Sequence, residues 1–335
     1  MKYPVFLTIV LLLCSCDDGD LQIEAVNFDD VSLSSCDSSG STETTFFFKI
    51  DGDEALLLEL SSGLLENSTS LDGSIQDNIS SSGTPQLIYR LFTDDVSSSY
   101  FCDEVPPLEP TVLVENLASA GDLTILSNVG DVTASAKNYN HNITLTNLTL
   151  NNDQNERLTD TSTLEYGDFT TTATNSPSLE SPFSNYNAIA VVICETSPSD
   201  NTVRLYKPHG DEYILLDVPT SLFSNSVTES GTPRTDTLGE TSAFQNVVLN
   251  ALVAEDAPCS STSEETLVGT FTATEGTVEV TTVASAPDAE GIITYTHTIT
   301  LTNITLQLQK PGEDSTTDLS EITSFVFGSL ATTGS

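Results

Sequence analysis

The sequence predicts an all-β protein made of two tandem antiparallel β-sandwich domains, immunoglobulin-like or jelly-roll-like, that arose by internal duplication. Three observations predict it. One strand is written twice, as HNITLTNLTL from His141 to Leu150 and as HTITLTNITL from His297 to Leu306. Thr, Ser and Val are abundant and Lys is scarce, a composition that favours strands over helices. Short apolar runs alternate with Gly, Pro, Asn and Asp, the punctuation expected of sandwiches and barrels. A length of 335 residues suits two domains, and a period this long means tandem domains rather than a short-repeat solenoid.

Residues 1–15 read as an export signal. Lys2 gives a positive start, and Val5 to Leu13 is an apolar run too short to span a bilayer. Leu13-Cys14-Ser15-Cys16 follows at once and resembles a bacterial lipoprotein signal, in which cleavage precedes a cysteine that then receives lipid. Cys16 fits that role better than Cys14, because small Ser15 precedes it and Leu13 stands at the third position upstream. Several acyl chains on one residue anchor stably, at about 0.8 kcal/mol per buried methylene. Residues 16–24 are then an acidic tether, in which Asp17-Asp18-Gly19-Asp20 looks like the surface-export tag of Bacteroidota lipoproteins.

The first copy occupies residues 25–175. Val31 and Leu33 alternate like a half-buried strand. Phe46 to Ile50 and Ala55 to Leu60 flank Asp51-Gly52-Asp53-Glu54, which reads as a hairpin turn. Leu87 to Phe92 is a further strand, and Pro106, Pro107 and Pro110 mark a connection. Short strands resume at Thr111 to Val114 and Leu123 to Leu126, then at the repeated segment and near Leu164 to Thr172.

Residues 176–184 have the Pro/Ser composition of an interdomain linker, and the order recurs over 185–335. Asn185-Tyr186 matches Asn27-Phe28, Gly210-Asp211-Glu212 matches Gly52-Asp53-Glu54, and Glu321 and Phe325 match Glu165 and Phe169. Ser82 to Pro85 and Ser230 to Pro233 both read SGTP, at an offset that breaks the trend.

Four cysteines remain beyond Cys14 and Cys16, and they allow three pairings. The duplication selects Cys36–Cys102 and Cys194–Cys259, with nearly equal separations of 66 and 65 residues. Disulfides persist in exported proteins, and closing such loops contributes about 4 kcal/mol each on the chain-entropy model.

Charge limits the partners. With 49 acidic and 9 basic residues the net charge is -40, which repels phosphate backbones and anionic lipid and attracts cations and basic partners. Nucleic-acid binding is not expected. The chain contains no HExxH, G-x-S-x-G, Walker or GxGxxG pattern, so no catalytic residues are assigned and no enzymatic activity is expected. His141 and His297 are equivalent positions, which points to a shared structural role. Asp51, Asp53 and Glu54, with Asp211 and Glu212, are the candidate metal ligands, since clustered turn carboxylates can supply part of a Ca2+ shell; a solvated turn needs no ion.

The chain as a whole resembles uncharacterised lipoproteins of Bacteroidota, especially flavobacteria. The residues that carry the resemblance are Leu13 to Cys16, the following DDGD and the FDDV opening before Cys36. It implies an address, the outer membrane with the chain lipid-anchored and surface-exposed, and no enzymatic role. The expected function is a non-catalytic surface binding or accessory module whose partner is an outer-membrane protein, a glycan or matrix. The alternative is a structural envelope component that binds divalent cations, and a secreted hydrolase is the third reading.

Overall fold

A computed structural model of the chain describes residues 27–37, 40–70, 75–151, 157–196, 198–254, 257–260 and 266–334. The protein is two tandem antiparallel β-sandwiches. Copy 1 contains β1 (Ser34–Ser35), β2 (Phe46–Asp51), β3 (Glu54–Glu59), β4 (Ile75–Ile79), β5 (Gln86–Phe92), β6 (Val112–Val132), β7 (Ala136–Asn151), β8 (Arg157–Asp160) and β9 (Leu164–Thr174). Copy 2 contains β10 (Val192–Ile193), β11 (Thr202–His209), β12 (Glu212–Pro219), β13 (Arg234–Thr237), β14 (Ala243–Leu249), β15 (Leu267–Ala284), β16 (Ile293–Gln309), β17 (Thr316–Asp318) and β18 (Ile322–Gly334). The two nine-stranded sheets have the same strand order, β1-β2-β3-β5-β6-β7-β8 and β10-β11-β12-β14-β15-β16-β17, each with two further strands on its long hairpin.

That long hairpin makes the sandwich. The first part of β6 pairs with β5, and its later part, Gly121 to Ile125, pairs with β4. The end of β7 pairs with β8, and its beginning pairs with β9. Between these halves the register shifts around Ala120, and Asn147 takes a left-handed φ of 54°. A strand turns alternate residues to one face. Ile143 and Leu145 are buried before the corner, and Leu148 and Leu150 after it. The extra residue at Asn147 resets the alternation, so both halves keep their apolar side chains inward. Asn303 does the same in copy 2 at φ 51°. The layers close on one core, with Phe47, Leu56 and Leu87 from the first facing Leu123, Ile143 and Tyr166 from the second.

Cross-layer bonds add to this packing. Lys49 on β2 is buried and donates to the backbone carbonyls of Phe28, at 2.6 Å, and of Glu165 on β9, at 3.2 Å. Its counterpart Lys207 donates to the Phe327 carbonyl at 3.0 Å. Burial pushes both ammonium groups below the ordinary lysine pKa.

The runs FFFKI and ALLLEL are apolar on both faces, and the structure shows the reason. The outer face of the first layer is covered by a strap carrying a short helix, α1 (Ser99–Cys102), with Phe48, Leu57, Phe92 and Phe101 packed between them. The Cys36–Cys102 disulfide pins this strap. In copy 2, Cys194–Cys259 lies in the corresponding cluster with Tyr206, Tyr213 and Leu249.

Several expectations change. The segments expected at Thr111 to Val114 and Leu123 to Leu126 fall, from Val112 onward, in one 21-residue strand, because pairing continues across the bend between them. Val31 and Leu33 pack against the core from a bent segment, with only Ser34–Ser35 pairing. The two SGTP segments are not equivalent, since one follows β4 and the other precedes its counterpart β13. The last strands align Tyr166 with Phe327, not Phe169 with Phe325. Ile143 faces Gly167, and Ile299 faces Gly328, and these two glycines hold φ values of 136° and 151°. The shift arises in the preceding hairpin, where Leu150 faces Leu158 but Leu306 bonds to Leu319. The linker is packed as well: Ser176, Pro177 and Phe183 are buried.

Candidate functional site

The two copies meet end to end at a buried polar joint. The β11–β12 turn sets it up. Gly210 sits at φ 61°, as Gly52 does at 60° in copy 1, and the tight turn places Asp211 and Glu212 side by side at the tip. The other half is the β6–β7 end of copy 1. Lys137 Nζ lies 2.7 Å from Asp211 Oδ1 and 3.5 Å from Glu212 Oε2. All three side chains are nearly inaccessible, at 7%, 4% and 2% exposure.

Buried charges require partners on every side. Here Thr69 donates to Asp211 Oδ2 at 3.3 Å, and Asn185 to Glu212 Oε1 at 3.1 Å. Ser176, from the linker, also donates to Glu212. Burial acts to lower the Lys137 pKa, but Glu212 and Asp211 outweigh it and raise it above the ordinary lysine value. Apolar contacts complete the joint, as Val129, Val132 and Tyr139 of copy 1 belong to the core cluster of copy 2. Gly269 lets Val132 in: a Cβ there would lie 2.6 Å from Val132 Cγ1. At the rim, Lys310 reaches Asp131 at 2.6 Å. Lys310 belongs to the hairpin that is longer in copy 2, so the extension contributes a contact to the joint.

The carboxylate set read as a candidate calcium site is therefore divided. Asp211 and Glu212 hold a lysine at the joint. Asp51 and Asp53 are exposed on the β2–β3 turn of copy 1, with Glu54 half-buried. Among the described residues no three His, Cys, Asp or Glu side chains gather so as to hold a metal ion. Cys16, the expected lipid site, lies outside the described residues. Both expected disulfides are formed.

The two equivalent histidines, His141 and His297, are held in buried hydrogen-bond chains. His141 is fully buried, with Nδ1 2.7 Å from Ser127 Oγ and Nε2 2.7 Å from Thr171 Oγ1. Thr171 donates onward to Asn67 Oδ1 at 2.7 Å, so its oxygen accepts from Nε2–H and the ring is neutral with Nδ1 accepting from Ser127. A serine beside a histidine suggests a nucleophile and base, but Ser127 is 1% exposed and opens onto no substrate space. His297 repeats the chain between Thr282 and Thr332, both at 2.8 Å.

Surface hollows exist on both sides of the joint. A groove of about 390 Å³ lies between the linker and copy 2, bounded by Ala134, Pro177, Leu179 and Ile322. Another of about 580 Å³ in copy 1 is lined by Asp77, Asn78, Asp122 and Thr146 beside the Asn147 corner.

Sequence reasoning missed Lys137. The available signal was its absence from copy 2, where the matching position in the twice-written hairpin is Ile293. Comparison with known proteins found no matching protein family, no matching curated protein and no matching solved structure.

Proposed function

We propose that the chain is a non-catalytic binding or accessory module of a bacterial outer membrane, anchored through lipid on Cys16 and displayed at the cell surface. The buried Lys137–Asp211–Glu212 joint carries this reading. It locks two disulfide-strapped sandwiches end to end, an arrangement suited to holding a binding surface away from an anchor. Three residues able to serve as base or nucleophile, His141, His297 and Ser127, are spent on core hydrogen bonds. The acidic surface favours a partner with a basic contact region. The lipoprotein signal at Leu13 to Cys16 supplies the address.

Crosslinking of intact cells, followed by purification and mass spectrometry, tests the proposal. One stoichiometric outer-membrane partner is expected, lost when Cys16→Ser abolishes anchoring. No reproducible protein, glycan or matrix partner would overturn it.

A further inference from the structure

The buried joint holds a chemistry that its ion pair does not use. An amine and a carboxyl group at hydrogen-bond distance are the two halves of an amide. Lys137 Nζ lies 2.7 Å from Asp211 Oδ1, across 74 residues of chain. Both side chains are nearly inaccessible. A second carboxylate oxygen, Glu212 Oε2, lies 3.5 Å from the same nitrogen. One carboxylate is enough to pair one ammonium group, and burying another adds a desolvation penalty. Glu212 stands where a proton carrier for the amine would stand.

The surroundings of Glu212 fit that task. Ser176 and Asn185 donate to its Oε1, and Asn246 donates to its Oε2 at 3.4 Å. These bonds hold the carboxylate against the amine. The side-chain oxygens of the same two amides, Asn185 Oδ1 and Asn246 Oδ1, are buried and accept from no donor among the described residues. Acceptors therefore outnumber donors, and a proton on Glu212 adds a donor where acceptors are in excess. Thr69 donates to Asp211 Oδ2 at 3.3 Å, on an oxygen that gathers charge when its carbon is attacked. The buried Tyr139 ring covers the nitrogen, 5.5 Å from Lys137 Nζ.

We infer that Lys137 and Asp211 condense into a side-chain amide that joins the two copies covalently, with Glu212 carrying the protons. Lys137 passes a proton to Glu212, and the freed lone pair attacks Asp211 Cγ. The N–C bond forms, a C–O bond of the carboxyl group breaks, and the two protons shed by the nitrogen leave with that oxygen as water. Glu212 ends as it began. No electron is gained or lost, and no co-reactant is consumed. Fixed proximity stands in for chemical activation, and one turnover per molecule is sufficient. The flanking carboxylates keep the resting lysine charged, so the step depends on a proton acceptor within the joint. The crosslink goes beyond the binding-module reading and does not depend on it.

Peptide mapping of the purified full-length chain, after disulfide reduction, tests the inference. Trypsin cuts after a free lysine, so an amide on Lys137 blocks that cut and ties its peptide to the one bearing Asp211. The expected product is this branched peptide, lighter by one water than the sum of its two parts. Glu212→Gln keeps Lys137 opposite Asp211 and should lower the linked fraction at least about tenfold. A wild-type chain cut after Lys137, with both peptides linear, would overturn the inference, and so would undiminished linkage in Glu212→Gln. The wild-type map decides the matter even where the variant fails to fold.

Discussion

Between Ser127 and Thr171 the His141 ring is fully buried, each nitrogen committed to a hydroxyl. Burial lowers its pKa from 6.5 to about 4. The unfolded chain therefore binds a proton between those values that the folded chain refuses. Stability from this group is complete above pH 6.5 and is lost as pH falls toward 4, a difference of about 3 kcal/mol at most. His297 shifts in the same direction, through burial and then the neighbouring Arg234. Urea midpoints measured from pH 7.5 to 4 should fall more steeply for wild type than for His141→Gln, and parallel curves would contradict the argument. The histidine pair was legible in the sequence as two equivalent structural positions. Its partners were not, because Asn67 and Thr171 come from distant segments.

At the scale of the strand, the corner in β7 decides whether a sheet becomes a sandwich. The segment ITLTNLTL has alternation before and after Asn147 but a change of phase across it. Left-handed backbone absorbs that phase change, and Asn tolerates it better than a β-branched residue. The Asn147 side chain also donates to Asp122 Oδ2 at 2.6 Å, across the bend. Asn147→Gly should be nearly neutral, whereas Asn147→Val should cost about 2 kcal/mol or more through strain and the lost bond. Equal midpoints for these two variants would show that the corner does not depend on φ. The same logic explains why two short strands were expected where β6 runs unbroken: apolar runs locate the buried segments, not the ladder that joins them.

For the molecule as a whole, the joint couples the copies. Lys137→Met would leave two carboxylates buried without a cation, a situation that costs about 3–5 kcal/mol. Calorimetry should then show the wild-type transition broadening or splitting as the copies unfold separately. Lys137→Met/Asp211→Asn/Glu212→Gln should recover much of the loss, because apolar and neutral groups need no counter-charge. If Lys137→Met alone leaves the transition unchanged, the joint is not the coupling element. The net charge of -40 works against compactness throughout, so every buried ion pair in this chain is formed against the mean field of its own surface.

The sequence by itself determined what repetition and pattern can carry. The all-β class, the two copies, the Gly52 and Gly210 hairpins and both disulfides followed from local alternation, turn residues and matched spacing. Contacts between the copies were decided only in three dimensions. Asp211 and Glu212 look like Asp53 and Glu54 along the chain, yet one pair is buried against Lys137 and the other is open to solvent or half-buried. Burial depends on what the rest of the chain brings to a turn, and a turn's own residues do not encode that.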